Sequence, residues 1–235
     1  MQEHDLKCNL TNKHDVLDKL QIRNVEEMFL NVEEKFIDNN KARTYFKNVL
    51  SKCFVSDIPP DNFASIDSIV NYLKLSSEYT VINCTYNHLN PIDYGSYELF
   101  ISLIYTSNIS DVCAITIMDG PFFSIYPYNI EKHLYTVTSV EHGVIYSGKD
   151  IINYTLDEAT LLEKKTKIEL LMDEYLEDWR SHFVYSDFFL SWKTKPVTTN
   201  DDRDVKIMRE GNIVNIYGGK ITGIFKAEQY IESII

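Results

Sequence analysis

The chain has 235 residues, of which 44% are hydrophobic and 25% charged, and its formal net charge is -12. That is enough for a real apolar core, and the composition is that of a folded chain rather than a disordered one. The 23 Lys and Arg residues are outnumbered by 35 Asp and Glu and are scattered, which excludes a nucleic-acid partner and speaks against an anionic membrane surface. No apolar run approaches the length of a bilayer span. Cys8, Cys53, Cys84 and Cys113 form no C-x-x-C pair, so no structural zinc or other metal site is expected. The opening MQEHDLKCNL is polar and charged, unlike a signal peptide, and a reducing, cytoplasmic setting with free thiols is expected. The sequons at Asn9, Asn83, Asn108 and Asn153 are read as chance.

Residues 1–22 read as a helical or loose lead-in. Between 25 and 37 the apolar residues fit helical spacing and strand alternation alike, and the type stays open. Over 41–54, Tyr45, Phe46, Val49, Leu50, Cys53 and Phe54 recur at three- and four-residue steps, which predicts an amphipathic helix with one buried face, capped by Asp38 or Asn40. Pro59 and Pro60 break the pattern, and a short helix is expected over 66–75.

The pattern then turns to strands at 79–86, 97–105, 112–118, 122–128 and 134–140, with Asp119-Gly120-Pro121 as a turn. The longest helix is expected over 156–179, with Leu161, Leu162, Ile168, Leu171, Met172, Tyr175 and Leu176 as its apolar stripe. A strand at 188–195, a polar loop at 196–204, a strand at 213–217 and a closing helix from Thr222 to Ile235 complete the chain.

The most informative stretch is NIVNIYGGKITGIFKAEQYI, residues 212–231. A strand ends in Gly218-Gly219 and a helix follows at once. Glycine lets the main chain approach a flat or anionic ligand, and a helix start offers unpaired N–H groups. On its residues alone the same pattern also fits a tight turn.

GGKIT followed by AE is similar to the C-terminal GGK-[LIW]-T…AE element of FAD-dependent oxidoreductases of the D-amino-acid-oxidase and glycerol-phosphate-dehydrogenase type, the DAO family. The resemblance implies that Gly218, Gly219, Lys220, Ile221 and Thr222 lie along the flavin ring. TTNDDRDVKI (198–207) resembles the family's Ser-Arg-Asp segment, in which the arginine, here Arg203, faces the substrate anion. VINCTY (81–86) resembles a strand passing near the cofactor, with Thr85 in the matching place and Tyr86 where the family has glycine. ITIMDGPFFSIYPY (115–128) is similar to a strand pair of the substrate domain, with Tyr126 and Tyr128 as hydroxyl donors to substrate. His142 is a further pocket candidate. No residue stands out as general base, and the catalytic residue is unassigned.

The resemblance implies a mixed α/β (α+β) fold: a partial FAD-binding, Rossmann-like portion over 1–90, a largely antiparallel substrate domain over 91–195, and a return segment over 196–235 carrying the flavin-facing junction. It also implies FAD as cofactor and a small anionic substrate. The sequence contains no G-x-G-x-x-G, the run that binds the FAD pyrophosphate in this family. A separate or preceding N-terminal FAD-binding segment is therefore expected, with weak FAD binding by this chain alone. The alternative is a non-catalytic remnant that keeps the sheet as an interaction surface.

Overall fold

A computed structural model describes residues 8–11, 29–32, 39–52, 65–85, 89, 95–109, 114–118, 122–196, 205–218 and 223–234. The fold mixes helices and sheets, as expected. The described strands are β1 (Cys8–Thr11), β2 (Phe29–Val32), β3 (Val81–Asn83), β4 (Gly95–Ser107), β5 (Ile115–Ile117), β6 (Phe123–Asn129), β7 (Leu134–Ser139), β8 (Val144–Gly148), β9 (Phe183–Pro196), β10 (Lys206–Glu210) and β11 (Ile213–Tyr217). The helices are α1 (Asn39–Val49), α2 (Ile66–Leu73), α3 (Glu158–Tyr175) and α4 (Gly223–Glu232). The chain divides into two compact units, each discontinuous in sequence. One comprises Met1–Cys53, Phe100–Ile145 and Asn153–Ser191; the other Phe54–Leu99, Tyr146–Ile152 and Trp192–Ile235.

The first unit is built on an antiparallel sheet. Its strands run in the order β5-β6-β7-β4-β8, with β9 also on β4. The pleat sends alternate side chains to opposite faces. Ile101, Leu103 and Tyr105 of β4, Ile115 and Ile117 of β5, Phe123 and Ile125 of β6, and Tyr135 and Val137 of β7 all bury on one face. Helix α3 covers that face with Ile168, Leu171 and Met172, followed by Leu176. Each fully buried apolar side chain contributes about 1.5–3 kcal/mol.

Polar contacts pin α3 in place. The Tyr105 hydroxyl donates to Glu169 Oε1 at 2.8 Å, and Lys165 pairs with the same oxygen at 2.9 Å. Trp179 Nε1 donates to Asp173 Oδ1 at 2.8 Å, and the Arg180 guanidinium grips both Asp173 oxygens at 2.9 Å while lying over the Trp179 ring.

Asp157 starts α3. Its carboxylate accepts the Thr160 N–H and hydroxyl, both at 2.8 Å. The helix ends at Tyr175 rather than near Trp179, because the chain turns extended at Leu176 and left-handed at Asp178 (φ 52°).

The second unit holds a three-stranded sheet in the order β10-β11-β3. A two-residue loop joins β10 to β11, with Gly211 at φ 61°, the sign that tight hairpin turns demand. Helix α2 begins with a capping box between Ser65 and Ser68 and ends with Lys74 in the left-handed region.

Other sequence expectations are changed or decided. Residues 8–11, read within a helical or loose lead-in, form strand β1. Helix 41–54 is present as α1, but the face expected to be buried is not: Tyr45, Phe46, Val49 and Leu50 are all exposed. Periodicity fixes which side chains share a face, not whether anything covers it. Residues 29–32, left open between helix and strand, form β2, antiparallel to β1 with Phe29 opposite Thr11.

Candidate functional site

The site at the second unit's sheet grows from a pairing between distant segments. Strand β3 runs parallel to β11, with Val81 opposite Ile213, Ile82 opposite Val214 and Asn83 opposite Asn215. The chain leaves both strands at the same, carboxyl end. Ligands of open α/β sheets bind outside such ends. Cys84 and Thr85 follow β3, and Gly218 follows β11; all three are exposed.

Under this end lies an amide network that sequence reading missed. Asn83 is 5% exposed and Asn215 1%. Asn83 Nδ2 donates to Asn215 Oδ1 and to the Leu89 carbonyl, each at 2.8 Å. Asn83 Oδ1 accepts the Thr85 N–H at 3.1 Å and the Thr85 hydroxyl at 2.8 Å. The Leu89 N–H donates to Thr85 Oγ1 at 3.0 Å. All four hydrogen-bonding positions of the Asn83 amide are thus used. The Thr85 hydroxyl and N–H are both spent on the turn. The signal in the sequence was slight: VIN (81–83) and IVN (213–215) each place an asparagine after two β-branched residues.

Gly218 is small for a reason visible here. Strand register puts Lys206 opposite Tyr217, which brings Val205 beside Gly218. A Cβ on Gly218 would meet Val205 atoms at 3.1 to 3.2 Å, and one on Gly223, the buried first residue of α4, would meet Val205 Cβ at 3.0 Å. Val205 is thus seated between the strand end and the helix start. Burial pushes the Tyr217 hydroxyl pKa up, with Glu210 and Tyr97 adding to the effect. Cys84 has an exposed side chain, yet the surrounding protein pushes its pKa up too, so it is a thiol, not a thiolate, at neutral pH. Arg203, Gly219, Lys220, Ile221, Thr222 and Tyr86 lie outside the described residues.

The remaining candidates belong to the first unit. In β6 the buried positions are Phe123 and Ile125, so Tyr126 lies on the face turned away from α3. Tyr128 stacks on Phe189 of β9, with ring centroids 5.7 Å apart and planes at 25°. His142 sits in the turn after β7. Its N–H donates to Ser139 Oγ at 3.2 Å, and its ring lies 4.0 Å from the Glu141 carboxylate. Phe123 pairs with Ser139 and Pro127 with Tyr135, so Tyr128 and His142 occupy opposite ends of β6, on the order of 15 Å apart. The sheet brings Tyr126 and Tyr128 onto one strand and does not bring His142 to them. Among the described residues no three His, Cys, Asp or Glu side chains gather as metal ligands.

No family model matches the chain. An FAD-dependent monooxygenase of Fusarium mangiferae, FPY4, is 27% identical over 223 residues, covering 93% of this chain and 60% of that protein. This chain is similar to an FAD-dependent oxidoreductase. It spans about three-fifths of that relative's length.

Proposed function

We propose that the chain forms the substrate domain and the ring-side half of the flavin site in an FAD-dependent oxidoreductase resembling the D-amino-acid-oxidase and glycerol-phosphate-dehydrogenase type. The pyrophosphate-binding half comes from a glycine-rich segment outside residues 1–235. The observation that carries this reading is the parallel pairing of β3 with β11. It sets the described residues of two segments that resemble cofactor-binding elements, 81–85 of VINCTY and Gly218 of GGKIT, at one end of one sheet. The similarity to the Fusarium flavoenzyme over nearly the whole chain supports it.

The groups at this end suit the ring of a flavin. Exposed Gly218 lets a ring approach without side-chain bulk, and the buried amides beneath hold the neighbouring Thr85 turn. The resemblance implies Gly219, Lys220, Ile221 and Thr222 as further flavin-facing residues. When bound, FAD supplies an acceptor for the hydride of a C–H bond next to an amine or hydroxyl. Arg203 grips the carboxylate or phosphate of a small anionic substrate through two parallel N–H donors. The resemblance implies Tyr126 and Tyr128 as hydroxyl donors to substrate, whereas His142 lies by the other end of β6 and is not grouped with them. Monooxygenation is the second reading, favoured by the activity named for the Fusarium relative. A non-catalytic interaction module is the third, favoured by the lack of a G-x-G-x-x-G run.

The test is an amide-resolved NMR titration with riboflavin, which has the ring and lacks the pyrophosphate. The Thr85 and Gly218 amides should shift together, and Gly218→Val should abolish the shifts. Riboflavin that leaves both amides unmoved supports the interaction module.

A further inference from the structure

Helix α1 comes near β6, yet most of its circumference is exposed. From Asn40 to Lys52 only Ala42, which falls within the apolar arc, is partly covered. Tyr45 is 63% exposed, Phe46 56%, Val49 57% and Leu50 41%. At 100° per residue these four side chains occupy one arc of about 140°. The Tyr45 and Phe46 rings meet edge to face at 5.5 Å within it. A helix of 11 residues is marginal in water without packing, so this one needs something against its apolar arc.

Charge indicates what that is. Lys41 lies on one border of the arc, Arg43 and Lys47 on the other, and Lys52 just beyond the last turn. No Asp or Glu occurs from Asn39 to Lys52, although the chain as a whole carries -12. Thr44 and Asn48 fill the far side. The sequence as a whole reads as scattered in its basic residues; the helix shows four of them gathered around its apolar face. A second copy of α1 would bring like charges together. An anionic bilayer surface instead offers apolar depth for Tyr45, Phe46, Val49 and Leu50, and phosphates for Arg43, Lys47 and Lys52.

We infer that α1 lies in the plane of an anionic lipid surface and anchors the protein there. No described helix is long and apolar enough to cross a membrane, so the helix rests on the surface rather than spanning it. The inference is independent of the flavin reading.

The test is co-sedimentation of the full chain with vesicles of phosphatidylcholine alone and of phosphatidylcholine with phosphatidylglycerol. Binding should require phosphatidylglycerol and weaken steeply as salt is raised. Tyr45→Ser with Phe46→Ser should remove it, and Arg43→Gln with Lys47→Gln should weaken partitioning about 30-fold. Near-ultraviolet circular dichroism from the Tyr105 and Trp179 core checks that the variants fold. Failure of the wild-type chain to bind either vesicle overturns the inference. So does unchanged binding by the folded variants, or a dimer that the Tyr45 and Phe46 substitutions dissolve.

Discussion

At the scale of single residues, the most consequential are buried amides rather than acids or bases. Asn83 and Asn215 face each other across a parallel strand pair, and each hydrogen bond lost there leaves a buried polar group unmatched. Replacing Asn215 with Ala should therefore cost about 1–3 kcal/mol in urea unfolding and speed hydrogen exchange at the Leu89 amide, which the turn holds. Exchange at Leu89 unchanged from wild type would show that the network does not hold the turn. Gly143 poses a steric case. A Cβ there would lie 2.3 Å from the Phe100 ring and 2.6 Å from the Ser139 carbonyl oxygen. Gly143→Ala should destabilise the first unit by about 1–3 kcal/mol, the usual range for overpacking, as a lower urea midpoint. Gly218→Ala meets Val205 first, its Cγ2 at 3.1 Å and its Cα and Cβ at 3.2 Å. It should be milder, and Val205→Ala, which removes only the Cγ2 contact, should relieve it in part.

At the scale of elements, the sequence was legible where periodicity and turn chemistry agreed. Helices α2 and α3 and the hairpins β5-β6-β7 lie close to where helical spacing and strand alternation put them. Strand β10 was missed because KIMRE carries three charged residues in five and its last three are exposed; among the described residues it pairs with β11 alone, and an edge strand need not look apolar. Strand β8 was missed because VIYSG shows no alternation of buried and exposed positions. In β9, Tyr185 packs on the core and so do Phe188 and Leu190, a change of parity that a period-two reading of the sequence cannot follow. The paired asparagines lie 132 positions apart, and nothing local marks such a pair. Of the candidate site, the strand-to-helix form of the closing segment was legible, whereas the reason for Gly218, contact with Val205, needed the strand register.

Helix α3 yields a prediction of its own. The Thr160 N–H holds the Asp157 carboxyl below the usual carboxylate range, and the Thr160 hydroxyl adds to this. A depressed folded pKa means that the cap's contribution is complete above the unfolded value, about 3.9, and is lost as pH falls through the lower folded value. Thermal unfolding of the wild-type chain should therefore fall below pH 4 more steeply than that of Asp157→Ala, and the variant should melt a few degrees lower at pH 7. Parallel pH profiles for the two chains would remove Asp157 from the account.

At the scale of the whole molecule, the two units carry different parts of the proposed chemistry: Tyr126 and Tyr128 on an antiparallel sheet backed by α3, and Thr85 and Gly218 at the carboxyl end of a parallel pair. The account holds that this chain recognises a flavin ring but supplies no grip on its pyrophosphate. The most direct measurement is a paired absorbance titration of the 235-residue chain with riboflavin and with FAD. The account predicts that both perturb the flavin spectrum weakly and with affinities equal to within about threefold, because no pyrophosphate contact separates them. A tight, stoichiometric yellow complex formed by FAD and not by riboflavin would contradict it, and so would a flavin spectrum that neither compound's binding alters.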